Sequence, residues 1–264
     1  MGSATRGALA DMRAALAELG RAELTVAEDL LAVGRVVGAS SQLRSALTDT
    51  EADAAQKRAL VEAVFGPKIT RAAASLLSAA ATARWSSGDD FLAGIEELGY
   101  RVAAESAPEG VQVDAELFTV EQAVASDDEL ELALGSKLSP TASKTQIVDR
   151  LLGGKAAPQT VAIVRHLVEQ PRGRRIGEAL RHAASVVADQ RGFDVATVTT
   201  AVPLTPEQLA RLQQGLAAQT GRRVRFDTIV DPAVLGGVRV QIGDDVIDGS
   251  VASRLSSLRQ KLAG

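Results

Sequence analysis

One block of this chain resembles another that begins 87 residues later, and this self-similarity limits the possible fold more than any single motif does. Lys57-Arg58-Ala59-Leu60-Val61-Glu62-Ala63-Val64-Phe65-Gly66-Pro67-Lys68 aligns without a gap on Lys144-Thr145-Gln146-Ile147-Val148-Asp149-Arg150-Leu151-Leu152-Gly153-Gly154-Lys155, repeating Lys, Val, Gly and Lys. In the same register Leu30 falls on Leu117, Val33 on Val120, Val37 on Val124, Leu43 on Leu130 and Leu47 on Leu134, until the register drifts near Pro171. Helical heptads align some leucines by chance, so the weight rests on the Lys, Gly and Lys that frame the block. Two copies are too few for an open solenoid. The expected organisation is a helical bundle over residues 1–107 and a related helical unit over 108–191. Ser106-Ala107-Pro108-Glu109-Gly110 reads as the linker between them.

Within the first copy the period is helical. Leu9, Met12, Leu16 and Leu19 form a stripe from Thr5 to Leu19, stopped by Gly20. Leu30, Val33 and Val37 predict a helix from Leu24 to Val37, followed by a short turn carrying Leu43 and Leu47. Asp49 to Asp53 offers caps ahead of a helix from Gln56 to Phe65, which Gly66-Pro67 ends. Ile69 to Ala83 is almost entirely small and apolar, which predicts the buried centre of the bundle. A last helix should run from about Asp89 to Glu105.

After Gln190-Arg191-Gly192 the period changes to alternation. Phe193, Val195, Thr197, Thr199 and Ala201 point one way along a strand. Thr205-Pro206-Glu207-Gln208 supplies an N-cap, a proline at the first helical position and a capping-box glutamine, with Leu209, Leu212 and Leu216 as the stripe and Gly221 as the stop. Residues 224–230 and 238–242 read as strands, and Gly243-Asp244-Asp245 as a tight hairpin into Val246-Ile247. Asp248-Gly249-Ser250 should cap a final helix bearing Val251, Leu255, Leu258 and Leu262. Residues 192–264 therefore read as a β-α-β-β-β-α domain, and the whole chain as mainly α with a small α/β domain.

Composition narrows the function. Aromatics are 3% of 264 residues, which favours alanine-rich helix packing over aromatic sheet cores. Cysteine is absent, which removes disulfides, thiolate metal sites and cysteine nucleophiles. A net charge of −4 argues against a broad nucleic-acid footprint. No run of about 18 apolar residues occurs. His166 and His182 lack triad partners or metal-ligand spacing and read as ordinary helix residues. Gly153-Gly154-Lys155 lacks Walker spacing, and Asp244, Asp245 and Asp248 lack that of an EF-hand. Asp127, Asp128, Glu129 and Glu131 read as a solvated helix start, and no cofactor is expected. Arg172, Arg174, Arg175 and Arg181 form a basic cluster, which leaves an alternative reading: a helical scaffold binding nucleic acid or an acidic protein face.

The run from Asp231-Pro232-Ala233-Val234-Leu235-Gly236-Gly237-Val238 through Gly243-Asp244-Asp245-Val246-Ile247-Asp248-Gly249-Ser250-Val251 resembles the C-terminal signature of the ATP synthase delta subunit family, the bacterial relatives of the mitochondrial oligomycin-sensitivity-conferral protein. The likeness continues through Arg254-Leu255, Leu258-Arg259 and Leu262, and Gln56 to Gly66 is similar to a helix of that family. The chain looks like the enlarged form of high-GC Gram-positive bacteria, its extra residues matching the internal repeat. The resemblance implies a non-catalytic stator subunit on the cytoplasmic face of the membrane, peripheral and attached only through its complex. Its helical part would bind the N-terminal helices of alpha subunits, and its C-terminal domain a b-type peripheral stalk. The candidate contacts are Leu9, Met12, Leu16 and Leu19 on one side and Val251, Leu255, Leu258 and Leu262 on the other. Gly236, Gly237, Gly243, Asp248, Gly249 and Ser250 are structural members of the signature.

Overall fold

A computed structural model describes residues 2–249 except 137, 222, 233, 235, 243 and 244. The chain divides into two compact units, Met1–Val187 and Ala188–Gly264. Among the described residues the first unit is all helix: α1 (Ser3–Leu19), α2 (Leu24–Ala39), α3 (Ser41–Thr48), α4 (Ala54–Val64), α5 (Arg71–Thr82), α6 (Gly88–Ser106), α7 (Val113–Ala125), α8 (Asp128–Gly135), α9 (Thr141–Leu152), α10 (Pro158–Glu169) and α11 (Ile176–Gln190), the last of which runs on past the division.

An offset of 87 residues carries α3 onto α8 and α5 onto α10 at both ends, and α4 onto α9 at its start. The same shift places α2 over α7, α6 over α11 and α1 over α6, each within about two residues at the start. The spacing therefore persists past Pro171, where the side-chain likeness fades. One hydrogen bond also recurs at that offset. Asp29 accepts from the Thr70 N–H at 2.7 Å, and Glu116 from the Ala157 N–H at 2.9 Å, so in each copy a carboxylate occupies the N-terminus of the next-but-two helix.

Helix α6 is at once the last helix of the first arrangement and the first of the second. That double role changes where the centre lies. The alanine-rich α5 buries one face only, whereas α6 is buried at thirteen of the fourteen positions from Phe91 to Ala104, Ala93 alone being half-buried. A helix flanked by both copies has no solvent face left. The core is accordingly continuous across residue 107: Leu9, Leu30 and Phe91 belong to the same buried cluster as Leu117, Val148 and Leu180. Close approach requires small residues here. A Cβ on Gly94 would stand 2.1 Å from the Trp85 ring, and one on Gly99 2.6 Å from Leu31.

Local signals in the sequence explain most helix ends. Asp53 and Gln56 form a capping box on α4, and the segment read as a turn around Leu43 is a helix because Ser40 accepts from the Leu43 N–H at 3.2 Å.

The second unit holds β1 (Phe193–Thr200), α12 (Pro206–Thr220), β2 (Arg223–Val230), β3 (Val238–Ile242) and β4 (Asp245–Asp248), in the sheet order β2-β1-β3-β4. β1 runs parallel to β2 and antiparallel to β3. Its buried face is Ala196, Val198 and Thr200, the set alternate to the residues from Phe193 to Thr199, which are half-buried. Ala196 and Val198 pack with Leu216, Val224 and Val240 into a core of their own. Thr205 and Gln208 close a capping box on α12, and Gly221 ends it with φ 70°. β3 and β4 pair with Ile242 opposite Asp245. The expected final helix lies outside the described residues.

Candidate functional site

Of the predicted contact stripe on α1, Leu9, Met12 and Leu16 lie in the core, and only Leu19, 37% exposed, stands at the surface. The first three are turned toward α5 and α6 because α1 must close its own bundle. Val251, Leu255, Leu258 and Leu262, with Gly243 and Ser250, lie outside the described residues. Gly236 and Gly237 have φ of 74° and 86°, which only glycine adopts without strain. Asp248 is the last residue of β4, opposite Arg239, and the Gly249 N–H donates to the Val238 carbonyl at 2.9 Å.

Two members of the arginine cluster, Arg172 and Arg174, turn inward, for a reason that sequence order hides. Arg172 Nη1 and Arg174 Nη2 donate to Glu96 Oε2 at 2.8 and 3.1 Å, and Arg181 pairs with Glu121 at 3.0 Å. Three of the four guanidiniums are thus matched by buried carboxylates of α6 and α7, which weakens the nucleic-acid reading. His166 is fully buried beside them, with Nε2 3.4 Å from Glu96 Oε1 and Nδ1 3.5 Å from Arg35 Nη1. A guanidinium can only donate, so Nδ1 accepts and the ring keeps its proton on Nε2, facing the carboxylate. His182 is exposed on α11.

Burial alone raises the Glu96 pKa, but the hydrogen bond from His166 and the charge of Arg172 outweigh it and hold the carboxyl below its ordinary value. Burial, then the charge of Glu96, pushes the neighbouring Tyr100 hydroxyl well above its usual range. Such a network ties α6 to α10 and to the segment before α11. It has the character of a structural lock: every charge is paired and no reacting group faces an opening. A hollow of about 780 Å³ beside it lies between Arg35, Arg44, Asp89 and Glu169, where Arg35 pairs with Glu169 and Arg44 with Asp89. No group of residues suited to a metal ion occurs among the described residues, and none of their helices is long and apolar enough to cross a membrane.

A more apolar opening lies elsewhere in the helical unit. Val120, Leu130, Leu134, Leu151, Leu152 and Val164 line a groove of about 400 Å³ formed by α7, α8, α9, α10 and the turn that follows α9. Leu151 is 42% exposed there, and Leu132 and Leu138 are exposed nearby in sequence. An opening of this kind suits contact with another apolar surface. A residue-by-residue comparison of the two copies would have pointed to it, because the second copy places smaller side chains at several lining positions.

The family model described as ATP synthase delta (OSCP) subunit matches residues 100–262. The chain belongs to that family. The ATP synthase subunit delta of Leifsonia xyli is 56% identical over 265 residues, covering all of both chains. That of Beutenbergia cavernae is 38% identical over 94% of this chain and 93% of its own, and that of Kineococcus radiotolerans 40% over 90% and 87%. The family match begins inside α6, so it takes in the second helical copy and the sheet unit, while full-length relatives such as that of Leifsonia xyli also span the first copy.

Proposed function

We propose that this member of the ATP synthase delta family is a non-catalytic stator element, which links the catalytic head to a b-type peripheral stalk and keeps the head from turning with the rotor. The observation that carries the reading is the end-to-end likeness to the Leifsonia xyli subunit. The helical unit offers an apolar groove to the N-terminal helices of alpha subunits, and the C-terminal unit serves the stalk. Linked contacts of this kind hold a load far better than any one of them alone. Attachment to the cytoplasmic face of the membrane is then indirect, through the complex. Co-purification at native expression levels tests the proposal. The chain should travel with both head and stalk subunits through affinity purification and sizing, and its absence from the intact complex would refute the assignment.

A further inference from the structure

The lysine that opens the repeated block is buried in both copies. Lys57 is 8% exposed, and Lys144, at the 87-residue offset, 5%. A lysine stem packs well along apolar surface, but the ammonium at its end needs water or a partner. Among the described residues neither ammonium has a hydrogen bond or an ion pair. Lys57 lies where α3 and α5 end, and several of the carbonyls there are already taken. Thr82 Oγ1 donates to the Ser78 and Ala79 carbonyls at 2.9 and 3.1 Å, Trp85 Nε1 to the Ala80 carbonyl at 2.8 Å, and Thr48 Oγ1 to that of Arg44 at 2.9 Å.

Lys57 instead lines a polar hollow of about 370 Å³, together with Thr48, Thr50, Glu51, Arg84 and Trp85. Arg84 is exposed, and its guanidinium likewise has no partner among the described residues. The Thr50 hydroxyl is uncommitted in the same way. Two unpaired cations thus share one hollow with a single carboxylate. The second copy does not repeat the arrangement: Glu51 falls on Leu138, Arg84 on Pro171 and Trp85 on Arg172, whose guanidinium goes to Glu96. The buried lysine stem is common to both copies, whereas the cationic hollow belongs to the first.

We infer that this hollow binds a phosphate group, as inorganic phosphate or as the phosphate end of a nucleotide. Lys57 and Arg84 supply charge-assisted hydrogen bonds to its oxygens, and Thr50 a neutral one. Glu51 selects among oxyanions. A phosphate that keeps one proton donates it to the Glu51 carboxylate, whereas sulfate has none to give and is repelled. The site shares no residue with the apolar groove of the second copy and stands independently of the stator reading.

The test uses the full chain and follows Trp85, the one tryptophan of the sequence, while sodium phosphate is added at constant ionic strength. Its fluorescence should change saturably in the millimolar range, and equilibrium dialysis with labelled phosphate should give the same curve without relying on the fluorophore. Arg84→Gln, at an exposed and unpaired position, and Lys57→Met, which keeps the apolar stem, should each weaken binding by about tenfold or more. Lys144→Met, the matching change in the second copy, should leave binding unchanged. Sulfate should bind about tenfold more weakly than phosphate, and Glu51→Gln should remove that preference. ADP that displaces phosphate assigns the site to a nucleotide's phosphate, and ADP that fails to displace it assigns the site to the free ion. No phosphate retained in dialysis, equal retention by wild type and Arg84→Gln, or equal affinity for phosphate and sulfate would overturn the inference.

Discussion

Arg172 donates to Glu96 across 2.8 Å, and with Arg174 on the same carboxylate it fixes the segment entering α11 to the helix that both copies share. Arg172 makes its contact at φ 50°, the sole positive φ of a residue other than glycine among those described. Glu96 is 2% exposed and receives two guanidiniums and an imidazole. Replacing it by glutamine should destabilise the helical unit by about 2–4 kcal/mol, since two cations lose their counter-charge. At Arg172 the backbone and the side chain act in opposite directions. Arg172→Gly should therefore be more stable than Arg172→Ala by about 1 kcal/mol, because only glycine relieves the left-handed conformation. Urea unfolding at neutral pH measures both.

Acid should act on two of the buried glutamates, Glu96 and Glu121, with opposite sign. Glu96 titrates below its ordinary value in the folded chain, so its stabilising contribution is complete above about pH 4.5 and is lost as the pH falls through the folded value. Burial raises the Glu121 pKa despite Arg181, so the folded chain takes up that proton first. Its unfavourable contribution is full above the folded value and fades on acidification. Glu96→Gln should flatten the loss of stability seen in acid, and Glu121→Gln should steepen it. Urea midpoints measured from neutral pH down to about pH 3.5 check the pair.

Gly94 and Gly99 mark the closest approaches to α6. Gly94→Val would drive side-chain atoms into the Trp85 ring, and Gly99→Val into Leu31. Each should cost about 1–3 kcal/mol. Gly7, on α1, meets nothing within 4 Å of an added Cβ, so Gly7→Ala should be neutral or slightly stabilising. Thermal unfolding of the three variants distinguishes them.

The C-terminal unit has its own core, and damage there should stay there. Thr205→Ala removes the N-cap of α12 and should lower the stability of that unit by about 1 kcal/mol. Gly237→Val, at φ 86°, should cost about 1–2 kcal/mol or more. Hydrogen exchange should report faster opening in residues 193–230 for both variants, with protection in α2 and α6 unchanged.

What could be read from the order of residues was local or periodic. The Thr205, Pro206 and Gln208 signal marks the start of α12, and the helical stripes locate α1, α2 and α6 to within a few residues. The repeat offset foreshadows helix spacing even where side-chain likeness ends. Pairings between distant residues were not legible. Glu96 lies 76 residues from Arg172, and nothing near either names the other. The arginine cluster therefore read as a surface, and the α1 stripe as a contact, although Arg172 and Arg174 reach the buried Glu96 and Leu9, Met12 and Leu16 lie in the core. An enclosed α6 follows only from noticing that each copy claims it. A trace was present: Glu96, Glu97 and Arg101 interrupt an otherwise apolar helix with Tyr100 among them, a pattern that a buried helix tolerates only when its charges are paired.

Mechanical coupling is the property most directly at stake. In membrane vesicles from a strain lacking this chain, the catalytic head should still hydrolyse ATP, but ATP-driven proton pumping should be absent. Adding back the purified chain should restore it. Pumping that proceeds undiminished without the chain would contradict the account.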